Sequence, residues 1–153
     1  MRPFRCGTCQ QLVFFDNSTC LRCGSALGYL SDDRVLVALT PGDDGDLSPV
    51  GWDRGPQRRC SNSGVVGCNW LVRAGTGTRG TDLCASCRLT SLRPSDDDTE
   101  ALTSLATAEA AKRRLLDQMT GLGLPIIDRQ TDPEHGLTFE LLSSRHHSVT
   151  TGH

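Results

Sequence analysis

Cys6-Gly7-Thr8-Cys9, Cys20-Leu21-Arg22-Cys23-Gly24, Cys60, Cys68 and Cys84-Ala85-Ser86-Cys87 hold all eight cysteines of this 153-residue chain. The first four follow the pattern C-x2-C-x10-C-x2-C, and the second four follow C-x7-C-x15-C-x2-C. A C-x2-C pair carries two thiolates on one tight turn, within reach of a single ion, and zinc favours tetrahedral sulfur ligation. Gly24 stands where such a knuckle turns back on itself. Two zinc sites are therefore expected, with Cys6, Cys9, Cys20 and Cys23 as ligands of the first and Cys60, Cys68, Cys84 and Cys87 of the second. Interleaved ligation would pair Cys6 and Cys9 with Cys60 and Cys68. The 36 residues between Cys23 and Cys60 favour consecutive sites.

Each set offers four sulfurs and leaves no evident open position for an activated water. Both zincs are expected to be structural, with binding energy that is folding energy. Metal also answers a shortage of core, since a stretch of about 25 residues cannot bury enough apolar surface alone. Hydrophobic residues make up 37% of the chain, with only four Phe, two Trp and one Tyr. A redox dithiol and disulfides are the competing uses of the cysteines.

The formal charge is −2 with thiols counted neutral. Each zinc–tetrathiolate unit adds −2, so two would take the chain to about −6. That disfavours nucleic acid as a general partner, although Arg2, Arg5, Arg22, Arg58, Arg59 and Arg88 lie near the cysteines. These arginines are expected to offset thiolate charge. The N-terminus runs from Met1-Arg2-Pro3-Phe4-Arg5 into Cys6 with no apolar signal segment, and no stretch nears the ~18 apolar residues of a membrane span. A reducing, cytoplasmic setting is expected.

The expected fold class is a small zinc-stabilised α+β protein. Two consecutive four-cysteine units, zinc-ribbon or treble-clef-like, precede one amphipathic helix and a short β segment. Residues 1–30 read as the first ribbon and 31–56 as a β-hairpin and linker, with Val35–Leu39 one strand and a weaker return near Leu47–Trp52. Pro49 would confine that return to an edge. Residues 57–93 read as the second zinc unit, including a flexible loop at 75–80 and a helical turn after Cys84-Ala85-Ser86-Cys87. Trp70 is expected to pack on the second site.

Residues 94–124 read as a helix from about Thr99 to Met119, opened by Asp96-Asp97-Asp98 and closed by Gly121, Gly123 and Pro125. Its apolar stripe is Leu105, Ala108, Leu115 and Met119, flanked by Leu102 and Leu116, with Lys112-Arg113-Arg114 on the solvated side. Residues 125–153 read as a β segment around Leu137–Leu141 and a polar tail. His135, His146, His147 and His153 read as surface histidines. A lone helix with a strand or two is an incomplete core, so this third is expected to need a partner.

Several strings together resemble the bacterial "putative zinc-binding metallopeptidase" family, whose members begin with a zinc-ribbon region. They are Phe4-Arg5-Cys6 with Leu27-Gly28-Tyr29, Cys68-Asn69-Trp70-Leu71-Val72 and Leu83-Cys84-Ala85-Ser86-Cys87-Arg88-Leu89. Ala110-Ala111-Lys112-Arg113-Arg114-Leu115-Leu116, Leu122-Gly123-Leu124-Pro125, Asp132-Pro133-Glu134-His135-Gly136 and Thr151-Gly152-His153 follow in order. The resemblance implies a catalytic domain with His-Glu-x-x-His, in which two histidines hold zinc and the glutamate is the general base. That motif does not occur in these 153 residues. What carries over is the eight cysteines as zinc ligands. The expectation is an N-terminal region of such a peptidase, not catalytic by itself, whose partner is the missing domain or another protein. A stand-alone module binding nucleic acid or protein is the alternative, and a CxxC redox protein a third reading.

Overall fold

The computed structural model describes residues 2–75 and 82–143. It divides into two compact units, Met1–Ala85 and Ser86–His153.

The first unit opens with a two-stranded ribbon, β1 (Pro3–Arg5) against β2 (Leu12–Phe14), antiparallel with Phe4 opposite Val13. Alternation sets its faces: Phe4 and Val13 turn inward, while Leu12 and Phe14 face solvent. Next comes a five-stranded antiparallel meander of β3 (Ala26–Leu30), β4 (Val35–Pro41), β5 (Leu47–Pro49), β6 (Gln57–Arg59) and β7 (Leu71–Arg73). A one-turn helix, α1 (Ser63–Val66), lies between β6 and β7. The run Val35–Leu39 forms a strand as its β-branched and apolar content predicts, extended to Pro41.

β5 is an interior strand, contrary to the edge position expected from Pro49. The proline is tolerated because β5 meets β6 only at Leu47 opposite Gln57, two residues away, while Pro49 lies opposite Leu39 of β4. No ladder bond to β6 is forfeited.

The meander curls until its first strand meets its last. Tyr29 N donates to Asn69 O at 2.8 Å. A β-carbon on Gly28 would stand 2.6 Å from Leu71 Cδ2, so only glycine permits this approach. Leu30, Val37, Leu39 and Leu71 are buried together, with Ala26, Val35 and Leu47 at their margin. The segments 1–30, 31–56 and 57–75 thus contribute to one sheet.

In the second unit a 3₁₀ turn, Cys87–Leu89, leads into β8 (Thr90–Leu92), which pairs in parallel with the two-residue β9 (Phe139–Glu140). Between them runs α2 (Thr99–Gly121), 23 residues long. Asp98 caps it by accepting from Ala101 N at 3.0 Å, satisfying one of the amides that a helix start leaves open. Ser143 Oγ also donates to Asp98, at 2.8 Å. The chain turns out of the helix at Gly123, φ +70°.

The buried residues of α2 are Leu105, Glu109, Lys112, Arg113 and Leu116. This corrects the expected stripe: Leu115 is 47% exposed, while Lys112 and Arg113, expected in solvent, are two of the five buried residues and Arg114 alone of the three is exposed. Positions 105, 109, 112 and 116 follow the i, i+4, i+7, i+11 spacing of one helical face. Lys112 and Glu109 enter it as a pair, Nζ to Oε1 2.7 Å, and Thr90 Oγ1 donates to the same oxygen at 2.6 Å. The Lys112 ammonium also sits 5.3 Å from the centre of the Phe139 ring, a cation–π distance. A buried charge is acceptable once paired and hydrogen-bonded. No helix among the described residues is long and apolar enough to cross a membrane.

Candidate metal centres

Two turns of the same design build the first cysteine cluster. Cys6 N donates to Gln11 O and Gln10 N returns to Cys6 O, each at 2.9 Å. In the second turn Cys20 N donates to Ser25 O at 2.9 Å and Gly24 N to Cys20 O at 2.8 Å. The fourth residue after the leading cysteine is left-handed in both: Gln10 at φ +61° and Gly24 at φ +74°. The glycine was legible in the sequence. Gln10, which adopts the same conformation without glycine's freedom, was not.

The four sulfurs of Cys6, Cys9, Cys20 and Cys23 lie within 4.8 Å of one another. Cys6 and Cys23 are 3.7 Å apart, and Cys9 and Cys20 3.6 Å. A disulfide requires about 2.05 Å. Four sulfurs at about 2.3 Å from a tetrahedral zinc lie about 3.8 Å from one another. The spacing is that of ligands around an ion.

The thiols also conflict electrostatically. Ser25, first through its hydroxyl and then its backbone, holds Cys23 down to about 6. Cys9 is pushed up to about 12: the Gln11 amide lowers it, but desolvation and the thiols of Cys23, Cys20 and Cys6 outweigh that. Thiolates held this close repel one another unless a cation lies among them.

The second cluster joins Cys60, Cys68, Cys84 and Cys87, again within 4.8 Å of one another. Cys60 directly follows β6; α1 lies within the seven residues between Cys60 and Cys68; and Cys87 opens the helical turn expected after the last pair. Cys68 and Cys84 sulfurs are 3.6 Å apart, and Cys84 N donates to Cys60 Sγ at 3.4 Å. All four thiols are buried. Each cluster draws on its own consecutive set, so ligation by interleaved pairs is not what the fold assembles. The donor chemistry of both clusters fits zinc.

Trp70 turns onto Tyr29, ring centres 5.4 Å apart, and Tyr29 also meets Phe15 at 4.7 Å and Phe4 at 6.2 Å. Asn69, which sequence reasoning did not single out, is 1% exposed. Its Nδ2 donates to Phe15 O at 2.6 Å and Asn17 O at 3.2 Å, holding the loop after β2. Arg58 binds carboxylates, Asp46 at 2.8 Å and Asp82 at 3.5 Å. Asp82 O in turn accepts from Ser61 N and Oγ beside Cys60. Arg59 Nη1 donates to Leu27 O at 3.2 Å.

Asp96 pairs with Arg93 at 2.6 Å, which holds its carboxyl below the usual range. His135 is an exposed side chain 3.7 Å from Asp132. His146, His147 and His153, the Thr151-Gly152-His153 segment and most of the 75–80 loop lie outside the described residues.

Residues 3–98 match a family of zinc-ribbon domains. The chain belongs to that zinc-ribbon family. Residues 101–153 match a second family, described as "Putative zinc-binding metallo-peptidase". Curated relatives include an uncharacterized protein of Mycobacterium bovis and uncharacterized proteins of two Mycobacterium tuberculosis strains. Each is 45% identical over 153 residues. The match takes in all of this chain and 40% of each relative, so the chain spans two fifths of their length. No solved structure matches it. The two cysteine clusters can hold metal ions, and the zinc-ribbon family implies zinc.

Proposed function

We propose that this chain is the zinc-ribbon region and opening segment of a longer metallopeptidase-type protein. It holds one structural zinc in each cysteine cluster and is not proteolytic by itself. The observation that carries the zinc assignment is the sulfur spacing of 3.6–3.7 Å in both clusters. With four thiolates to each ion, no coordination position is left for a water or substrate, so the ions would supply folding energy and not chemistry.

The peptidase part of the proposal draws on the match at residues 101–153 and on relatives two and a half times as long. Exposed Leu115, Leu122, Leu124 and Ile127 in the second unit favour a covering partner, the rest of the peptidase or another protein. The location we propose is the cytoplasm, where cysteine thiols stay reduced and available to a metal.

Metal analysis with native mass spectrometry of chain purified under reducing conditions tests the zinc assignment; two zincs per chain are expected, and a metal-free folded chain would refute it. Peptide hydrolysis is assayed alongside. Turnover by this chain that a chelator abolishes would refute the non-catalytic assignment.

A further inference from the structure

The two clusters differ in one respect that their ligand sets conceal. In the second, Cys60, Cys68, Cys84 and Cys87 are all at most 2% exposed. In the first, Cys6 and Cys20 are fully buried, Cys9 is half-buried and Cys23 is exposed. Cys23 lies at the end of a protruding turn whose neighbour Leu21 is 96% exposed. Ser25 Oγ is 3.2 Å from the Cys23 sulfur and donates to Thr8 Oγ1 at 3.0 Å; both hydroxyls are on the surface. Solvent and small reagents therefore reach this sulfur directly. Zinc-bound cysteine is thiolate at neutral pH, which makes exposure the variable that separates the eight ligands in reactivity.

We infer that the first cluster is a peroxide-responsive zinc site in which Cys23 is the attacking thiolate and Cys6 the resolving one. The second cluster is inert under the same conditions. The inference rests on the two-zinc reading above. The Cys23 thiolate attacks one oxygen of hydrogen peroxide; an S–O bond forms as the O–O bond breaks, and hydroxide leaves to take a proton from solvent. Sulfur is oxidised by two electrons and the peroxide reduced. The Cys6 sulfur stands 3.7 Å away. Its thiolate attacks the Cys23 sulfenic sulfur, an S–S bond forms, the S–O bond breaks, and the second hydroxide leaves as water. Two thiolates are thereby withdrawn from a four-ligand shell, and Cys9 and Cys20 alone hold zinc too weakly to compete with a chelator.

The test uses the zinc-loaded chain, graded hydrogen peroxide and a chromogenic zinc chelator, followed by peptide mapping without reduction. Zinc is first counted in untreated protein, and fewer than two per chain refutes the underlying reading. Given two, one equivalent is expected to leave at least about tenfold faster than the other, with Cys6 and Cys23 recovered as a linked pair. Release of both zincs at one rate would overturn the inference, as would oxidation appearing first at Cys60, Cys68, Cys84 or Cys87. Cys23→His keeps a four-ligand shell of the Cys₃His kind without the exposed thiolate. Loss of the fast phase in this variant is expected, and its persistence would overturn the assignment of Cys23.

Discussion

At Gly24 a β-carbon would meet nothing within 4 Å, yet the backbone is at φ +74°. Gly24→Ala therefore adds strain and no clash, and is expected to lower stability by about 1–2 kcal/mol, read by urea unfolding of zinc-loaded protein. Gln10 is the same position in the other turn, so Gln10→Gly is expected to be neutral or to gain up to about 1 kcal/mol. Opposite signs at two equivalent positions would establish that the turns share one conformation; a loss in both would not fit it. The thiols tell a related story. That cysteines gather in fours was legible from spacing, whereas their unequal exposure depends on what packs over each turn, which spacing does not encode.

Helix α2 shows where element-level reading succeeds and fails. Its start, its stop and its single long run follow from Asp98, Gly123 and unbroken helix formers, because capping and propensity are local. Its buried face does not, because Glu109 and Lys112 enter the interior as an ion pair that hydrophobicity alone would place in water. Glu109→Met is expected to cost about 3–5 kcal/mol by leaving Lys112 buried without its carboxylate. Adding Lys112→Met should restore most of it, and a double variant no more stable than the single one would count against the pair.

The turn after α2 gives a pH signature. The Thr131 hydroxyl, then its amide, hold the Asp128 carboxyl below the usual carboxylate range. A depressed folded pKa means this contribution is complete above the unfolded value near 4 and is lost as pH falls through the folded value. The Thr131 amide resonance is expected to move only below about pH 4; a transition centred above that would contradict the hydrogen bonds.

For the molecule as a whole, seven of the eight cysteines belong to the unit that carries the curled five-stranded sheet, so metal binding and sheet are expected to stabilise one another. Cys60 directly follows β6, and Asn69 and Trp70 stand between Cys68 and β7, Asn69 reaching the loop after β2 at Phe15 and Asn17 and Trp70 reaching β3 at Tyr29. Chelation is expected to release Trp70 from its 4% exposed position. A red shift of tryptophan emission with stoichiometric zinc loss checks this, and unchanged emission in metal-free protein would show that the sheet stands alone. Acid should act alike, since protonating thiolates competes with the ion.

The sequence by itself determined the two cysteine sets, the kind of ion they suit, the ends of the long helix and the absence of a His-Glu-x-x-His site in these residues. Each rests on chemistry carried within a few positions. Only the tertiary structure decided that five strands from three segments make one sheet, that Gly28 admits Leu71, that Trp70 answers Tyr29, and that Lys112 lies inside. Those outcomes turn on which distant surfaces meet, and pairing between distant surfaces is settled by packing and charge satisfaction in the folded chain.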